Sequence, residues 1–553
     1  MSSAHSTVVI SHAPDLDYHH DYVALPRSYG TPAWEARPDV QAIRATVFDN
    51  LSELDAHARF SDRAKARHVL IKPNLVTVYH NMGLVEQDYP ETTDPRVLDA
   101  VVEWFLQFTT TITIVESSGR GAPTRGSFRV AGIDRLARHR GVGLVALEEE
   151  PVDRYILPHA RVQKEICIPR IMSGAVTGQS FYVSLPKMKT NLYTGVTLGF
   201  KNAMGTIPYN LRQRNHNWAI DQKLVDMLYL FKPDLVLVDG IVGGEGNCPA
   251  PVQPVDSKVI VSGDNTVEVD RITTQMMGFD PMRIDLIRIA HELGFGDPSV
   301  EVIGGPTVTP FTPADASLVS DSFHALFPNV RALVGHEMRN APRIAHLGDV
   351  TPALVQQMEQ VCRGGCLATT RFAFDMLSFE GLRRDFTLTV VIGAGTVIEG
   401  KRVWLDRTGQ AYTEDDIEHL PGKHMIVGNC ALHVPARAGE RVPGCMPFPN
   451  APHMALHRLT GTWCRVMSPR NQNLLPLLIA TLQECEHRKR LLRQGIRLDV
   501  PLPSDDRIVE PRPLTEAEQA MDVIPWPFPP LTPSEIRMLV AQENRNVLAT
   551  FRS

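Results

Sequence analysis

Residues 68–76 read HVLIKPNLV, an apolar run interrupted by one charged side chain, Lys72. After it, Asp94 and Pro95 stand before an apolar series at helical spacing, VLDAVVEWFL over 97–106. An aspartate followed by proline is typical of the first turn of a helix. The next apolar run, TITIV over 111–115, ends at Glu116. Strand, helix and strand in this order predict a parallel sheet with right-handed crossovers.

The same alternation continues for about 310 residues. A helix is predicted over 127–139 and another over 266–277, and strands are predicted over 7–11, 143–147, 181–185, 235–238 and 259–262. We therefore predict an α/β fold for residues 1–310, with a mostly parallel sheet and helices on both of its faces. The stretch before residue 50 shows one strand and then a polar, histidine- and proline-rich segment.

The pattern changes after residue 310. Strands over 388–392, 400–404 and 425–427 and helices from 352 and over 473–493 predict a smaller α+β domain with several cysteines over 320–500. Residues 501–553 begin with a proline-rich stretch, which we expect to run extended along the surface. The order Thr532, Pro533, Ser534 and Glu535 predicts a capping box and a short terminal helix.

Composition and charge exclude several classes of protein. The 553 residues include 56 basic and 62 acidic side chains and have a net charge of −6, which argues against a nucleic-acid partner. No apolar run is long enough for a membrane helix, and the N-terminus lacks the basic and apolar regions of a secretory signal. Eight cysteines are too few for a disulfide scaffold, so we expect a cytoplasmic protein, and an oligomer is compatible with this composition.

Polar side chains recur where the predicted strands end. In an open α/β sheet, ligands bind outside the carboxyl ends of the strands. The residues at or near these ends, which we take as candidates for binding a substrate or catalysing a reaction, are Lys72, Asn74, Glu116, Ser118, Lys187, Lys189, Asn191, Lys201, Asn202, Asp239 and Glu245.

The lysines allow two interpretations, because a buried ammonium group needs a partner. They either form ion pairs with Glu116, Asp239, Glu245 or Asp270, or they bind a carboxylate or phosphate, with one lysine acting as base or nucleophile. His216 is a candidate acid or base near neutral pH. The carboxylates of Glu116, Asp239 and Glu245 would hold a divalent metal or move protons.

Several of these segments resemble one family. The runs IKPNLV (71–76), VESSG (115–119), LPKMKTN (185–191), GFKNAMGTIP (199–208) and PDLVLVDGIVGGEGN (233–247) resemble the DUF362 family, and the likeness extends over about residues 65–305. The resemblance implies that the lysines, asparagines and aspartates of these runs share one site with Asp270, the aspartates being candidate metal ligands. The family is named for having no known function, so the resemblance supplies no reaction.

Some members of that family carry a ferredoxin-like segment with two CxxCxxCxxxCP runs for iron–sulfur clusters. This chain has no CxxCxxC, so two-cluster electron transfer does not carry over. It also has Glu268 two residues before Asp270, where family members commonly have alanine. The role of Asp270 is therefore open at this point.

A second group of candidates lies in the later half of the chain. Cys362, Cys366, Cys430 and Cys445 are close in sequence or flanked by glycine. Thiolates suit zinc or an iron–sulfur cluster, whereas free cysteines also serve as small buried apolar residues or form redox disulfides. All three interpretations are open, and irregular spacing favours simple burial. Cys464 and Cys485 have no comparable neighbours in the sequence.

These observations predict an enzyme that acts on a small anionic metabolite. The catalytic candidates are Lys187, Lys189, Lys201, His216 and Glu245. Oxidoreductase chemistry is preferred because some relatives carry iron–sulfur segments, with a divalent metal as the expected cofactor and an iron–sulfur cluster as the other one considered. The alternatives are a lyase or isomerase with a lysine base, and a protein that binds a small molecule or metal without catalysis.

Overall fold

The structure is a computed structural model that describes residues 5–82, 88–119, 123–212, 219–248, 252–362, 365–381, 384–436, 439–445, 447, 450–498 and 512–552. Its first half is built on an 11-stranded sheet. The main strands lie in the order Glu301–Ile303, Thr7–His12, Val259–Gly263, Leu235–Glu245, Ser180–Leu185, His68–Pro73, Ile112–Glu116 and Gly143–Ala146. The last five are mutually parallel, and Val259–Gly263 pairs antiparallel with both of its neighbours. The predicted α/β class is confirmed.

Helices cover this sheet, and two of them, Pro95–Leu106 and Thr266–Met276, begin where the sequence predicts. Asp94 caps the helix Pro95–Leu106, and its side chain accepts a hydrogen bond from the Arg96 amide at 2.8 Å. The helix expected over 127–139 divides at Gly132, whose φ of 75° breaks the helical backbone. The remaining long helices of this half are Pro38–Ala58, Thr124–Ala131, Ile133–Arg140, Ile220–Met227, Thr266–Met276 and Asp285–Glu292.

Among the differences from expectation in the first half are one long helix and one strand. Pro38–Ala58 is a 21-residue helix in a region where the sequence indicated only polar loop. The run after Pro186 is a strand, Lys187–Asn191, which pairs with Leu235–Glu245 and with the short strand Gly195–Thr197. A strand at this point places its lysines inside the molecule, because every residue of Lys187–Asn191 is buried.

A second, seven-stranded sheet carries the later half. Its order is Thr396–Ile398, Lys401–Leu405, Val330–Val334, Leu388–Ile392, Lys423–Val427 and Glu440–Val442, with Ala411–Tyr412 attached to Lys401–Leu405. The last four strands of that order are parallel. Its helices are Asp321–Leu326, Pro352–Gln360, Cys366–Phe379, Glu414–His419 and Asn450–Thr460.

The C-terminal residues return to the first half. Ile524–Pro525 pairs with Val152–Ile156, which also pairs with Glu165–Pro169. Beyond it, the rings of Trp526 and Phe528 stack on the Arg154 guanidinium, at 3.9 and 4.5 Å from its central carbon. The helix Leu474–Arg493 packs between Thr124–Ala131 and the terminal helix Pro533–Arg552. None of the helices in the described ranges is long and apolar enough to cross a membrane.

Candidate functional site

A cavity of about 170 Å³ opens beside the carboxyl ends of the central strands of the first sheet. Most of its wall comes from the first half of the chain, and the second half contributes Phe372 and Asn450. The polar side chains that line it are Lys72, Asn74, Glu116, Ser117, Lys189, Asn191, Lys201, Asn202 and Arg212. Most of the residues that the strand-end rule marks as substrate-binding candidates therefore line one cavity.

Lys72 and Glu116 form a buried ion pair at the base of the cavity. The Lys72 Nζ donates to Glu116 Oε2 at 2.9 Å and to Asn202 Oδ1 at 2.8 Å. Burial lowers the pKa of Lys72 and raises that of Glu116, and each charge partly offsets the shift of the other. Gly205 packs against both groups, since a Cβ there would lie 2.6 Å from Lys72 Nζ and would overlap Glu116 Oε1. A side chain at this position would displace Lys72 and Glu116 from their present positions.

Lys201 differs from the other cavity lysines. Within the part of the chain that the structure describes, its Nζ has no hydrogen-bond or ion-pair partner. Burial, reinforced by the charges of Lys189 and Arg212, lowers its pKa to about 8. An amine of this kind is neutral in a substantial fraction of molecules near physiological pH, so it can accept a proton.

Asp270 fixes the short helix that carries Lys201. Its Oδ1 accepts a hydrogen bond from the Gly199 amide at 2.6 Å, and its Oδ2 accepts one from the Phe200 amide at 3.3 Å. The structure thus corrects the expectation that Asp270 is a metal ligand, because both oxygens bind the start of the helix Gly199–Asn202. Asp270 positions Lys201 and does not line the cavity.

The other cations complete an electropositive wall. The Lys189 Nζ donates to the Glu91 carbonyl, and the Arg212 guanidinium donates to backbone carbonyls, among them that of Ser117 at 2.7 Å. The lining thus holds four basic side chains, Lys72, Lys189, Lys201 and Arg212, and one carboxylate, Glu116. In addition, Asn74 Oδ1 is buried without a hydrogen-bond partner among the described residues. Such a wall favours an anionic ligand with at least one donor group.

Other predicted residues lie elsewhere. Lys187 and Asp239 form a fully buried ion pair of 2.9 Å, and Asp239 Oδ2 also accepts from the Asp94 amide at 2.7 Å. Glu245 Oε2 accepts from the Thr312 amide at 2.6 Å, and Ser118 Oγ donates to the Leu75 carbonyl at 2.7 Å. None of these four lines the cavity.

The carboxylates therefore do not form the divalent-metal site that the sequence suggested. Glu116, Asp239 and Glu245 each bind a different partner. Of the two interpretations of the lysines, ion pairing or anion binding, the structure shows ion pairing for Lys187, with Asp239 as its partner. His216 falls outside the described residues.

The four cysteines lie near one another at the carboxyl edge of the second sheet. Cys430 follows the strand Lys423–Val427, Cys445 follows Glu440–Val442, and Cys366 opens the helix Cys366–Phe379. A Cβ on Gly428 would lie 2.9 Å from the Cys366 sulfur and 3.8 Å from the Cys430 sulfur. Burial and the neighbouring thiols of Cys362, Cys430 and Cys445 raise the pKa of Cys366. Sequence distance had favoured scattered thiols, whereas the parallel strands bring these residues to one edge.

A further cluster was missed by the sequence reasoning. Glu380, His453, His457 and Cys464 are all buried, and one donor atom of each lies within 4.8 Å of the others. The Nε2 of His453 lies 3.0 Å from Glu380 Oε1 and 3.1 Å from the His457 Nε2. The sequence contains one indication of this cluster, HMALH over 453–457, which puts two histidines one helical turn apart. Cys464 had seemed to stand alone because its neighbours are distant in sequence.

Comparison with known proteins finds one family that matches the part of the chain around the cavity. Residues 69–275 match a family described as a domain of unknown function, DUF362. The thylakoid-associated protein sll1697 of Synechocystis sp. is 26% identical over 126 residues, which are 22% of this chain and 39% of that protein. The chain thus spans well under half the length of that relative. No solved structure matches the chain. The segment that matches the DUF362 family carries Lys72, Glu116, Lys189 and Lys201.

Proposed function

We propose that this protein is an enzyme that acts on a small anionic metabolite, a carboxylate or a phosphate, bound in the lysine-lined cavity. One observation carries the proposal: the cavity presents Lys72, Lys189, Lys201 and Arg212 against the single carboxylate of Glu116. Low-dielectric walls strengthen the attraction of such a cationic site for an anion. The cavity of about 170 Å³ suits a small metabolite better than a nucleotide cofactor.

The chemistry that these residues support best is proton abstraction by Lys201. Its pKa of about 8 and its lack of a partner among the described residues provide a neutral amine at the cavity wall. The proton would pass from a carbon next to the carboxylate to the Lys201 Nζ, and the electron pair would stay on that carbon. Lys189 and Arg212 would stabilise the negative charge that develops there. Lyase or isomerase chemistry follows from this arrangement.

Calorimetry tests the binding half of this proposal. We expect inorganic phosphate or a small mono- or dicarboxylate to bind the full chain, and Lys189→Met to weaken that binding by about tenfold or more, since a charge-assisted hydrogen bond contributes ~1.5–3 kcal/mol. Lys401→Met is the matched control, because Lys401 is an exposed lysine of the second sheet. Equal affinities in the wild type and Lys189→Met would contradict the proposed site.

Isotope exchange tests the catalytic half. The ligand that binds is incubated with the protein in deuterated water, and its C–H signals are followed by NMR. Proton abstraction predicts exchange of one C–H for deuterium, and Lys201→Met should abolish that exchange while Lys401→Met keeps it. Tight binding without any exchange would favour a protein that binds the metabolite without catalysis.

A redox enzyme is the second candidate, and the cysteine cluster favours it. Cys366 and the cavity residue Phe372 lie on one helix, so their backbones are about 9 Å apart along its axis. Thiolates at that distance are suitable ligands for an iron–sulfur cluster that exchanges electrons with a bound substrate. Protein purified without oxygen should then contain several irons per chain and show a broad visible absorption. Cys430→Ser together with Cys445→Ser should remove both, and a colourless, iron-free wild type would contradict this candidate.

We also propose a cytoplasmic location, which the small number of cysteines supports.

A further inference from the structure

The second half of the chain holds a buried cluster of four metal-binding side chains, distinct from the cavity and from the cysteine edge. Glu380 follows the helix Cys366–Phe379, and His453 and His457 lie one turn apart on the helix Asn450–Thr460. Cys464 follows that helix after a short turn. Glu380 is fully buried, and the other three side chains are at most 6% exposed. Such a set of carboxylate, imidazole and thiol groups is rarely buried together for packing alone.

The distances within the cluster are those of a tetrahedron. Bonds of ~2.0–2.1 Å to nitrogen and oxygen and ~2.3 Å to sulfur give edges of roughly 3.3–3.6 Å around a zinc ion. The two imidazole Nε2 atoms are 3.1 Å apart, and Glu380 Oε1 lies 3.0 Å from His453 and 3.5 Å from His457. The Cys464 sulfur lies 3.9 Å from the same oxygen. Each of these four edges is within a few tenths of an ångström of that geometry, and one donor atom of each residue lies within 4.8 Å of the others.

The contacts bring three polar atoms to one point. The Nε2 atoms of His453 and His457 and the Oε1 of Glu380 form a triangle of short contacts. A proton on either Nε2 can be donated to Glu380 Oε1, which lies 3.0 Å from His453 and 3.5 Å from His457. A cation at the centre would instead take one lone pair from each of these three atoms at once.

The surroundings of the cluster orient two of the ligands towards its centre. The Nδ1 of His457 lies 2.9 Å from Thr462 Oγ1, so it can donate there and leave the Nε2 lone pair for a metal. The Arg465 amide donates to Glu380 Oε2 at 2.9 Å, which leaves Oε1 facing the histidines. Partners of this kind are typical of protein metal sites.

We propose that Glu380, His453, His457 and Cys464 bind one zinc ion in a structural site. Four protein ligands fill a tetrahedral shell and leave no position for a substrate, which distinguishes structural from catalytic zinc. The metal would join the helices Cys366–Phe379 and Asn450–Thr460 to the turn at Cys464. These same helices supply Phe372 and Asn450 to the wall of the cavity. The zinc therefore holds the second half of the chain in place over the candidate active site.

Elemental analysis of the full chain tests the proposal. We expect one zinc per chain, lost in His457→Ala and in Cys464→Ser. His433→Ala is the matched control, because His433 lies in the same half of the chain, is exposed and pairs with Glu414. Cys430→Ser together with Cys445→Ser should also keep this zinc. A folded wild type without any bound metal, or equal metal content in His457→Ala, would overturn the proposal, and iron or copper lost in the same variants would overturn the assignment to zinc.

Two measurements remain decisive if the variants fail to fold. The wild type is unfolded in guanidinium with and without a chelator, and we expect the chelator to lower the midpoint, because the metal binds only the folded chain. An unchanged midpoint would contradict the site. Refolding with cobalt(II) in place of zinc should give the visible bands of a tetrahedral ion with a sulfur-to-metal charge-transfer band, and octahedral cobalt spectra would overturn the proposed geometry.

Discussion

At the scale of single residues, Lys201 decides the chemistry of the cavity. The neighbouring lysine Lys72 is held by Glu116 and Asn202, and Lys189 is held by a carbonyl. Lys201 alone among these three has no such partner in the described ranges, and burial lowers its pKa to about 8. Burial disfavours the charged form of Lys201. A substrate anion that pairs with its ammonium group offsets this cost.

The shifted lysine makes stability depend on pH. The pKa of Lys201 is about 8 in the folded chain and 10.5 as an unperturbed group, so between these values the unfolded chain binds more protons. The free energy of unfolding should therefore rise with pH in that window. Lys201→Met should raise stability at pH 7 by about 1–3 kcal/mol and remove that rise. Urea unfolding at pH 7 and pH 9.5 measures both effects, and a wild-type stability that falls across this range relative to Lys201→Met would contradict the shift.

Gly205 is the second residue whose identity matters for the site. Gly205→Ala should separate Lys72 from Glu116, because the new methyl group would occupy the space of both charged groups. Breaking a buried pair costs ~3–5 kcal/mol, and phosphate binding should be lost with it. Gly348→Ala serves as control, since a Cβ at Gly348 meets nothing within 4 Å. Thermal unfolding measures the stability of the two variants, and calorimetry measures their affinity for phosphate. Equal stability and equal affinity in the two variants would show that the ion pair tolerates the methyl group.

At the scale of elements, the buried pair of Lys187 and Asp239 joins two strands. The two residues lie directly opposite each other in Lys187–Asn191 and Leu235–Glu245. Both side chains are fully buried, and Asp239 also holds the Asp94 amide at the start of the helix Pro95–Leu106. One ion pair thus connects the strand that carries Lys189 to the centre of the sheet.

Removing one partner of this pair should be far more harmful than removing both charges. Lys187→Met leaves the Asp239 carboxylate buried without its ammonium, which costs ~3–5 kcal/mol. Asp239→Asn in the same chain keeps an acceptor for the Asp94 amide and removes the charge, so the double variant should recover part of the loss. Denaturant unfolding of the single and double variants provides the comparison. If the double variant lost as much stability as the two single variants together, the two residues would act independently.

At the scale of the whole molecule, the C-terminal tail holds parts of the first half together. It adds the strand Ile524–Pro525, stacks two aromatic rings on Arg154 and places Glu543 against the buried Arg488, at 3.0 Å. The sequence predicts a tail that runs extended along the surface, and in the structure its aromatic rings contact a guanidinium. A cation–π contact contributes ~0.5–2 kcal/mol, so the tail stabilises the body without touching the cavity.

Truncation after residue 512 tests this role. We expect the first thermal unfolding transition to move several degrees lower, because the strand, the Arg154 stack and the helix Pro533–Arg552 are all lost. Phosphate binding should persist at temperatures below that transition. Glu543→Gln should reproduce part of the shift by removing one charged partner of Arg488. If the truncated chain unfolded at the wild-type temperature, the tail would be a loose appendage.

Local signals in the sequence predict most of the first sheet and the edge at which the cavity lies. Apolar periodicity, the cap at Asp94 and polar strand ends are such signals, and parallel strands necessarily bring their carboxyl ends to one edge. Seven of the residues picked out at strand ends line one cavity, namely Lys72, Asn74, Glu116, Lys189, Asn191, Lys201 and Asn202. Lys187, Asp239 and Asp270, which were expected at the same site, do not line it. The helix Pro38–Ala58 is not apparent from the sequence, because polar residues separate its apolar ones. Only the fold shows which of its faces packs against the sheet.

The partner of each buried charged residue depends on the tertiary structure. Lys187 and Lys189 are two apart in a strand, a spacing that predicts a common face, but the pairing register shifts between Asp239 and Gly244 and gives the two lysines different partners. Likewise, HMALH over 453–457 is visible in the sequence, whereas Glu380 and Cys464 join it through helix packing alone. Periodicity records which face of an element is buried. It does not record which distant element covers that face, and for a buried charge or a metal ligand that partner determines the chemistry.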